Sequence, residues 1–157
     1  MEAVLVLRWL HLLGATVLIG TGAGIAFFML MAHRTGDPRH IAQTATTVVI
    51  ADWLFTATAV IAQPITGILL ALNMGWDLTE TWILLSLGLY ILIGLCWLPV
   101  VWLQYRLKQM AQLAAESDSS LPPQYFKTFR LWFCLGIPAF ASILTILWLM
   151  IARSTFN

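Results

Sequence analysis

The stretch that decides the fold class is WILLSLGLYILIGLCWLPVVWL, from Trp82 to Leu103, which contains no charged residue. A helix needs about 20 apolar residues to cross the hydrocarbon core of a bilayer, which is roughly 30 Å thick. This stretch reaches that length without interruption, and it is too long for an ordinary core helix of a soluble protein. It therefore predicts a transmembrane helix.

Working outward from this stretch, three more segments have the same character. The four predicted spans are 3–32, 48–72, 82–103 and 131–151. Apolar and polar residues at helical spacing after Leu103 predict that the third helix continues to about Glu116. Turn-forming residues fall between the spans. We predict an all-α, integral membrane four-helix bundle that forms one domain over residues 1–157, kinked at Pro64, Pro99 and Pro138.

The composition supports this class and excludes several others. The chain is 61% apolar and 10% charged, whereas soluble domains are about 45–50% apolar and about 25% charged. Its mean hydropathy is +0.88. The formal net charge of +1 leaves no basic face for nucleic acid, so the bilayer is the expected partner. Cys96 and Cys134 lie inside apolar runs, which argues against a disulfide scaffold or a cysteine-rich metal module.

The basic residues predict the orientation. One side of the predicted bundle holds Arg8 and Arg153. The other side holds Arg34, Arg39, Arg106, Lys108, Lys127 and Arg130. Because cytoplasmic loops carry the excess of Lys and Arg, we predict a multi-pass protein of the bacterial inner (cytoplasmic) membrane with both termini periplasmic.

His11 and Arg8 are the first candidates for chemistry, because polar groups in a membrane span are costly and therefore rare. They lie three residues apart, on one face of the first helix. A neutral imidazole can ligate heme iron, and a guanidinium one turn away can hold a propionate. The alternative is a hydrated histidine at the membrane interface, beside an arginine that extends to the headgroups.

A second axial ligand would have to lie at the same depth as His11. Met150 and Met74 meet that condition, and a thioether opposite histidine is a known heme ligation. Both can equally be packing residues, and the iron can equally be five-coordinate.

Three further polar residues lie within the second predicted span. Asp52 is interpreted as the partner of a base such as Arg34 or Arg130, with a proton relay as the alternative. Gln63 and Thr66 flank Pro64, which frees the carbonyl of Val60. They either accompany a structural kink or line a cavity.

Gly20 and Gly24, four residues apart, predict close helix packing, either within the bundle or in a homodimer.

Four segments carry a resemblance to a known family. They are Leu10 to Ala15 (LHLLGA), Ala51 to Thr56 (ADWLFT), Gln63 to Gly67 (QPITG) and Cys96 to Gln104 (CWLPVVWLQ). With them the sequence resembles the bacterial membrane family called domain of unknown function 2269. The resemblance covers nearly all four spans and implies no particular activity.

The first helix, Trp9 to Arg34, also resembles that of HemJ-type protoporphyrinogen oxidases and of copper-resistance membrane domains. Pro64 to Leu70 is similar to the second helix of the HemJ type. That resemblance implies that His11 is associated with heme. Ser86 stands where the HemJ type has a required lysine, which argues against protoporphyrinogen oxidation and leaves heme binding open.

Together these observations predict a membrane protein that binds b-type heme through His11 and serves redox or heme-related chemistry, with a quinone or porphyrin as its reaction partner. Such a protein would be a heme-dependent membrane oxidoreductase. The alternative is a cofactor-free transporter subunit or partner-binding module.

Overall fold

The computed structural model describes residues 2–152, and every regular element in that range is helical. The elements are α1 (Glu2–Thr35), α2 (Pro38–Ala51), a π-helical turn (Asp52–Thr56), α3 (Ala57–Met74), α4 (Thr81–Glu116) and α5 (Pro123–Ala152). Since α2, the π turn and α3 follow one another without a break, residues 2–152 contain four helices long and apolar enough to cross a membrane. The predicted fold class is confirmed. Arg153, used above for the orientation, lies outside the described residues.

Two helices begin earlier than the sequence analysis predicted. The second span begins at Pro38 instead of Val48, and the last begins at Pro123 instead of Leu131. The first connection is therefore only Gly36 and Asp37. Gly36 takes a left-handed conformation with φ +67°, and the Asp37 carboxylate accepts a hydrogen bond from the Arg39 N–H at 3.0 Å. Gly36 thus ends α1. Asp37 caps the N-terminus of α2, and Pro38 occupies the first helical position.

The additional helical turns pack against one another at one end of the bundle, which we call the basic end. α4 ends at Glu116, as the periodicity after Leu103 indicates. At this end Ile41 and Ala45 of α2, Leu107 and Ala111 of α4 and Tyr125 of α5 are fully buried in one apolar cluster. Burial of these residues explains why the helices extend beyond the predicted spans.

The opposite end, which we call the terminal end, carries Glu2, Ala152 and the short connection between α3 and α4. Its apolar core is small, with Ala71, Trp82 and Ile83 buried together. In the connection, the backbone N–H and the hydroxyl of Thr79 donate to the Asp77 carboxylate, and these hydrogen bonds lower the pKa of that carboxyl. The described helices form two cavities, one against this small core and the other nearer the basic end.

All three predicted kink sites lie inside helices, with Pro64 in α3, Pro99 in α4 and Pro138 in α5. The carbonyl of Val60, which has no helical partner because of Pro64, accepts a hydrogen bond from the Tyr90 hydroxyl of α4. That the prolines bend the helices stays a prediction.

Candidate functional site

His11 is buried in α1, and its contacts come from one face of α3. Its Nδ1 atom lies 2.9 Å from the Thr66 hydroxyl oxygen, and the Gln63 side-chain amide donates to the His11 carbonyl at 2.8 Å. Gln63 and Thr66 lie three residues apart, one turn along the helix. Residues on either side of Pro64 thus hold both the ring and the backbone of His11.

The hydrogen bonds of Thr66 indicate the tautomer of His11. The Thr66 hydroxyl donates its proton back along its own helix to the Ala62 carbonyl, at 2.8 Å. In that orientation its oxygen can accept a hydrogen bond from His11, and we assign the imidazole proton to Nδ1 on this basis. Nε2 is left with a free lone pair, and nothing in residues 2–152 forms a hydrogen bond with it.

Two glycines allow α1 and α3 to approach each other here. A Cβ atom built on Gly67 would lie 3.0 Å from Cε1 of His11, and one built on Gly14 would collide with the Gln63 amide nitrogen. Neither position has room for a side chain. These glycines, and not Gly20 and Gly24, make the close contact between helices.

His11 lies in the wall of a cavity of about 260 Å³ at the terminal end, which we call the histidine cavity. Arg8, Gln63 and Met150 share this wall, so the structure brings four of the seven predicted polar and ligand residues together. Most of the remaining lining is apolar, with Trp76 and Trp82 as its tryptophans. Thr66 adjoins the cavity through its contact with His11.

Met74 does not lie in this lining. The Arg8 guanidinium contacts its sulfur, with Nη2 at 3.8 Å from Sδ. Met74 is therefore a contact of Arg8, and Met150 is the predicted methionine whose thioether lies beside the cavity.

Asp52 occupies a different site. It is the first residue of the π turn, and its carboxylate is 3.4 Å from the indole nitrogen of Trp97. It forms no ion pair within the described chain, so the predicted pairing with Arg34 or Arg130 is wrong. The ion pair that does form joins Arg39 to Asp118 at 3.0 Å, on the exposed surface of the basic end.

Gly20 lies on the outside of the bundle, and a Cβ atom built there would meet nothing within 4 Å. A Cβ atom on Gly24 would contact only Phe28 of its own helix. The pair therefore does not pack against another described helix of the bundle. A homodimer through this surface stays a prediction.

A comparison with family models decides what the chain is similar to as a whole. The family described as "Predicted integral membrane protein (DUF2269)" matches residues 5–154. The chain belongs to this family. The resemblance noted from the four segments is confirmed, whereas similarity to the HemJ type stays a prediction. No curated protein and no solved structure matches the chain.

Several residues of the two cavities were not singled out from the sequence of this DUF2269 member. They are Gly67, Tyr90, Trp97 and Gln104. Gln104 lies in the predicted continuation of the third helix, where it is buried in α4 and accepts a hydrogen bond from the Trp132 indole at 3.2 Å. A glutamine that continues the helical spacing beyond Leu103 was the available signal. No group of three or more His, Cys, Asp or Glu side chains within residues 2–152 could hold a metal ion.

Proposed function

We propose that this membrane protein binds b-type heme through Nε2 of His11 and serves redox or heme-related chemistry. The observation that supports the proposal best is the hydrogen bond from His11 Nδ1 to Thr66. An imidazole that ligates a metal keeps its other nitrogen hydrogen-bonded, because that contact fixes the tautomer and the orientation of the ring. His11 has this arrangement, with Nε2 free and beside a cavity.

The lining of the histidine cavity fits the chemistry of heme. Its largely apolar surface suits a macrocycle, and Arg8 is exposed at its edge, where a guanidinium can bind a carboxylate in two places. Met150 supplies a thioether in the same lining, a ligand type found opposite histidine. Bound heme would supply one-electron chemistry, while the described residues orient the group and exclude water.

The volume limits how the group can lie. About 260 Å³ is just below the roughly 300–1,000 Å³ of pockets that hold drug-sized ligands. A macrocycle held by His11 would be enclosed only in part, and Arg8, which is exposed, would be the residue to hold a propionate.

The same volume favours a second candidate, a quinone. Its single ring is smaller than a porphyrin, and the Nε2 lone pair of His11 can accept a hydrogen bond from the hydroxyl of the reduced form. The apolar walls would hold the ring and the start of its tail.

Titration of the purified protein with hemin tests the first candidate. We expect hemin to give an intense Soret band with the wild type. His11→Ala should abolish this band or lower the affinity for hemin at least tenfold. Thr66→Val keeps the side-chain shape but removes the acceptor for Nδ1, so it should weaken binding by about 10–100-fold. Arg8→Ala should weaken binding less, because its guanidinium is exposed. Met150→Ala should convert any low-spin spectrum to high spin.

His40→Ala provides the matched control, because His40 is exposed at the basic end and should not affect hemin uptake. Equal uptake by wild type and His11→Ala, or no uptake by either, contradicts the heme proposal. In that event, a quinone analogue that quenches tryptophan fluorescence in wild type and not in His11→Ala supports the second candidate. If neither ligand binds, a cofactor-free membrane component becomes the better account.

A further inference from the structure

A second cavity, of about 430 Å³, adjoins the histidine cavity on the side of the basic end, and we call it the aspartate cavity. The two share Leu18, Tyr90 and Ile143 in their walls. Asp52 is the one residue in the aspartate-cavity lining with a formal charge. Nothing in the proposed role of His11 makes use of this second space.

The Asp52 carboxylate is under-satisfied for a buried charge. The residue is only 5% exposed, and its contact with the Trp97 indole is long at 3.4 Å. The Thr56 hydroxyl is buried against it without completing a hydrogen bond of good geometry. A carboxylate has about four acceptor positions, and the donors described beside Asp52 are the Trp97 indole and the Thr56 hydroxyl.

This polar pair lies at the two ends of the π turn, on its buried face. Asp52 and Thr56, its first and last residues, are buried, whereas the three residues between them, Trp53, Leu54 and Phe55, are exposed. Single π-helical turns are rare and occur frequently at functional sites. A lone carboxylate within a membrane span is costly when ionised, so it must be either protonated or paired with a cation.

We propose that the aspartate cavity binds a monovalent organic cation with an apolar body, whose charge takes the place of the proton on Asp52. On binding, the Asp52 carboxylic acid releases its proton to solvent and the resulting carboxylate pairs with the cation. The cavity is formally neutral before and after the exchange. No electron is transferred and no covalent bond other than O–H is broken.

The walls of the cavity fit such a ligand. The rings of Trp97, Trp132 and Phe140 lie in the lining, and aromatic faces attract organic cations. The volume lies within the range of small-molecule pockets. Ile137 and Leu144 line the cavity and are also exposed on the outside of α5, so the cavity reaches the surface that would face lipid. A ligand with an apolar body can enter from that side.

No other charged group in the lining competes with this exchange. Tyr90 of α4 is the other titratable residue there, and its hydroxyl is committed to the Val60 carbonyl. The residues that α1 and α5 contribute to the lining are not ionisable. One proton should therefore be released for each cation bound.

Tetraphenylphosphonium is a suitable probe, with tetraphenylborate as an ion of matched shape and opposite charge. In detergent or nanodiscs, we expect the phosphonium to quench tryptophan fluorescence saturably, and the borate, titrated in a separate sample, not to quench it saturably. Asp52→Asn should weaken phosphonium binding at least tenfold, because it removes the only charge in the lining. Glu116→Gln, at an exposed carboxylate, should leave binding unchanged. In weak buffer, wild type should release about one proton per phosphonium bound.

Unchanged binding in Asp52→Asn, saturable binding of the borate in its separate titration, or phosphonium binding without proton release would each overturn the proposal. If Asp52→Asn does not fold, two measurements on the wild type still test the proposal. They are the comparison of the two ions and the number of protons released per phosphonium bound. Hemin uptake of Asp52→Asn should equal that of wild type, because Asp52 does not line the histidine cavity. The heme proposal and this one therefore succeed or fail separately.

Discussion

At the scale of single residues, His11 is held by three residues on one face of α3. Thr66 contacts its ring nitrogen, Gln63 donates to its carbonyl, and Gly67 lies close to the Cε1 atom of the ring. A side chain packed this closely has little freedom to adjust. Small changes in its neighbours should therefore affect any ligand that His11 holds.

Gly67→Ala tests this dependence. The new methyl carbon would start 3.0 Å from His11 Cε1, which is tighter than an ordinary contact, so the ring or α3 must shift. We expect hemin affinity to fall by about tenfold, a typical loss when a ligand's support is disturbed. Spectrophotometric titration measures it. Gly20→Ala is the control, because its methyl group would meet nothing. Equal affinities of the two variants would contradict the prediction.

His33 gives a second prediction at this scale. Its ring stacks on Phe129 with centroids 3.8 Å apart, while its Nδ1 atom is buried without a hydrogen-bond partner. Because a phenyl ring keeps the stacking and removes the unsatisfied nitrogen, His33→Phe should raise the free energy of unfolding by about 1 kcal/mol. Unfolding in detergent with increasing denaturant measures this change. His40→Phe, at an exposed position, should not produce the same gain.

At the scale of elements, the helix from Pro38 to Met74 carries most of the unusual geometry. It contains the π turn and, within the following α3, Pro64. Proline removes the donor that would meet the Val60 carbonyl, and the Tyr90 hydroxyl of α4 replaces it. A backbone defect in one helix thus becomes a hydrogen bond to another.

A double-mutant cycle on Tyr90 and Pro64 tests whether the Tyr90 hydroxyl replaces the backbone donor that Pro64 lacks. Tyr90→Phe should lower the free energy of unfolding by about 1 kcal/mol or somewhat more, since it leaves a buried carbonyl unpaired. With Pro64→Ala, the restored backbone N–H can bond to the Val60 carbonyl, so Tyr90→Phe should then be less damaging. Unfolding measurements on the four proteins give the coupling. Additive effects would show that the hydroxyl and the proline act independently.

At the scale of the whole molecule, the two ends of the bundle differ. The basic end holds the large apolar cluster and most of the basic residues, whereas the terminal end holds a small core and the histidine cavity. The side chains of Arg39 and Asp118, which form an ion pair, are 69% and 87% exposed, so this pair contributes little to stability. Apolar packing, not charge pairing, joins the helices at that end.

The unequal distribution of basic residues predicts the orientation. A reporter fused to the C-terminus should behave as periplasmic, and one inserted at Ser119, between α4 and α5, as cytoplasmic. Alkaline phosphatase and green fluorescent protein fusions distinguish the two locations. The reverse pattern would show that the basic end faces outward, and would place His11 on the cytoplasmic side.

The membrane class and the four spans followed from the sequence alone, because the length and apolar character of a spanning segment are properties of consecutive residues. The sequence alone also singled out four residues of the histidine-cavity lining as candidates, because polar or ligating groups are rare in such segments. They are His11, Arg8, Gln63 and Met150. The start of α2 at Pro38 was not predicted, because a glycine that ends one helix and an aspartate that caps the next also resemble a loop sequence.

Only the tertiary structure decided which of these residues share a site. His11 and Thr66 are 55 positions apart, and Trp97 lies 45 positions after Asp52, so no local pattern relates them. Asp52 and Thr56 are four residues apart and so share one helix face, but only the packing of the bundle shows that this face is buried. Sequence determines the helices because their hydrogen bonds are local. The cavities depend on how the helices pack, and packing is not local.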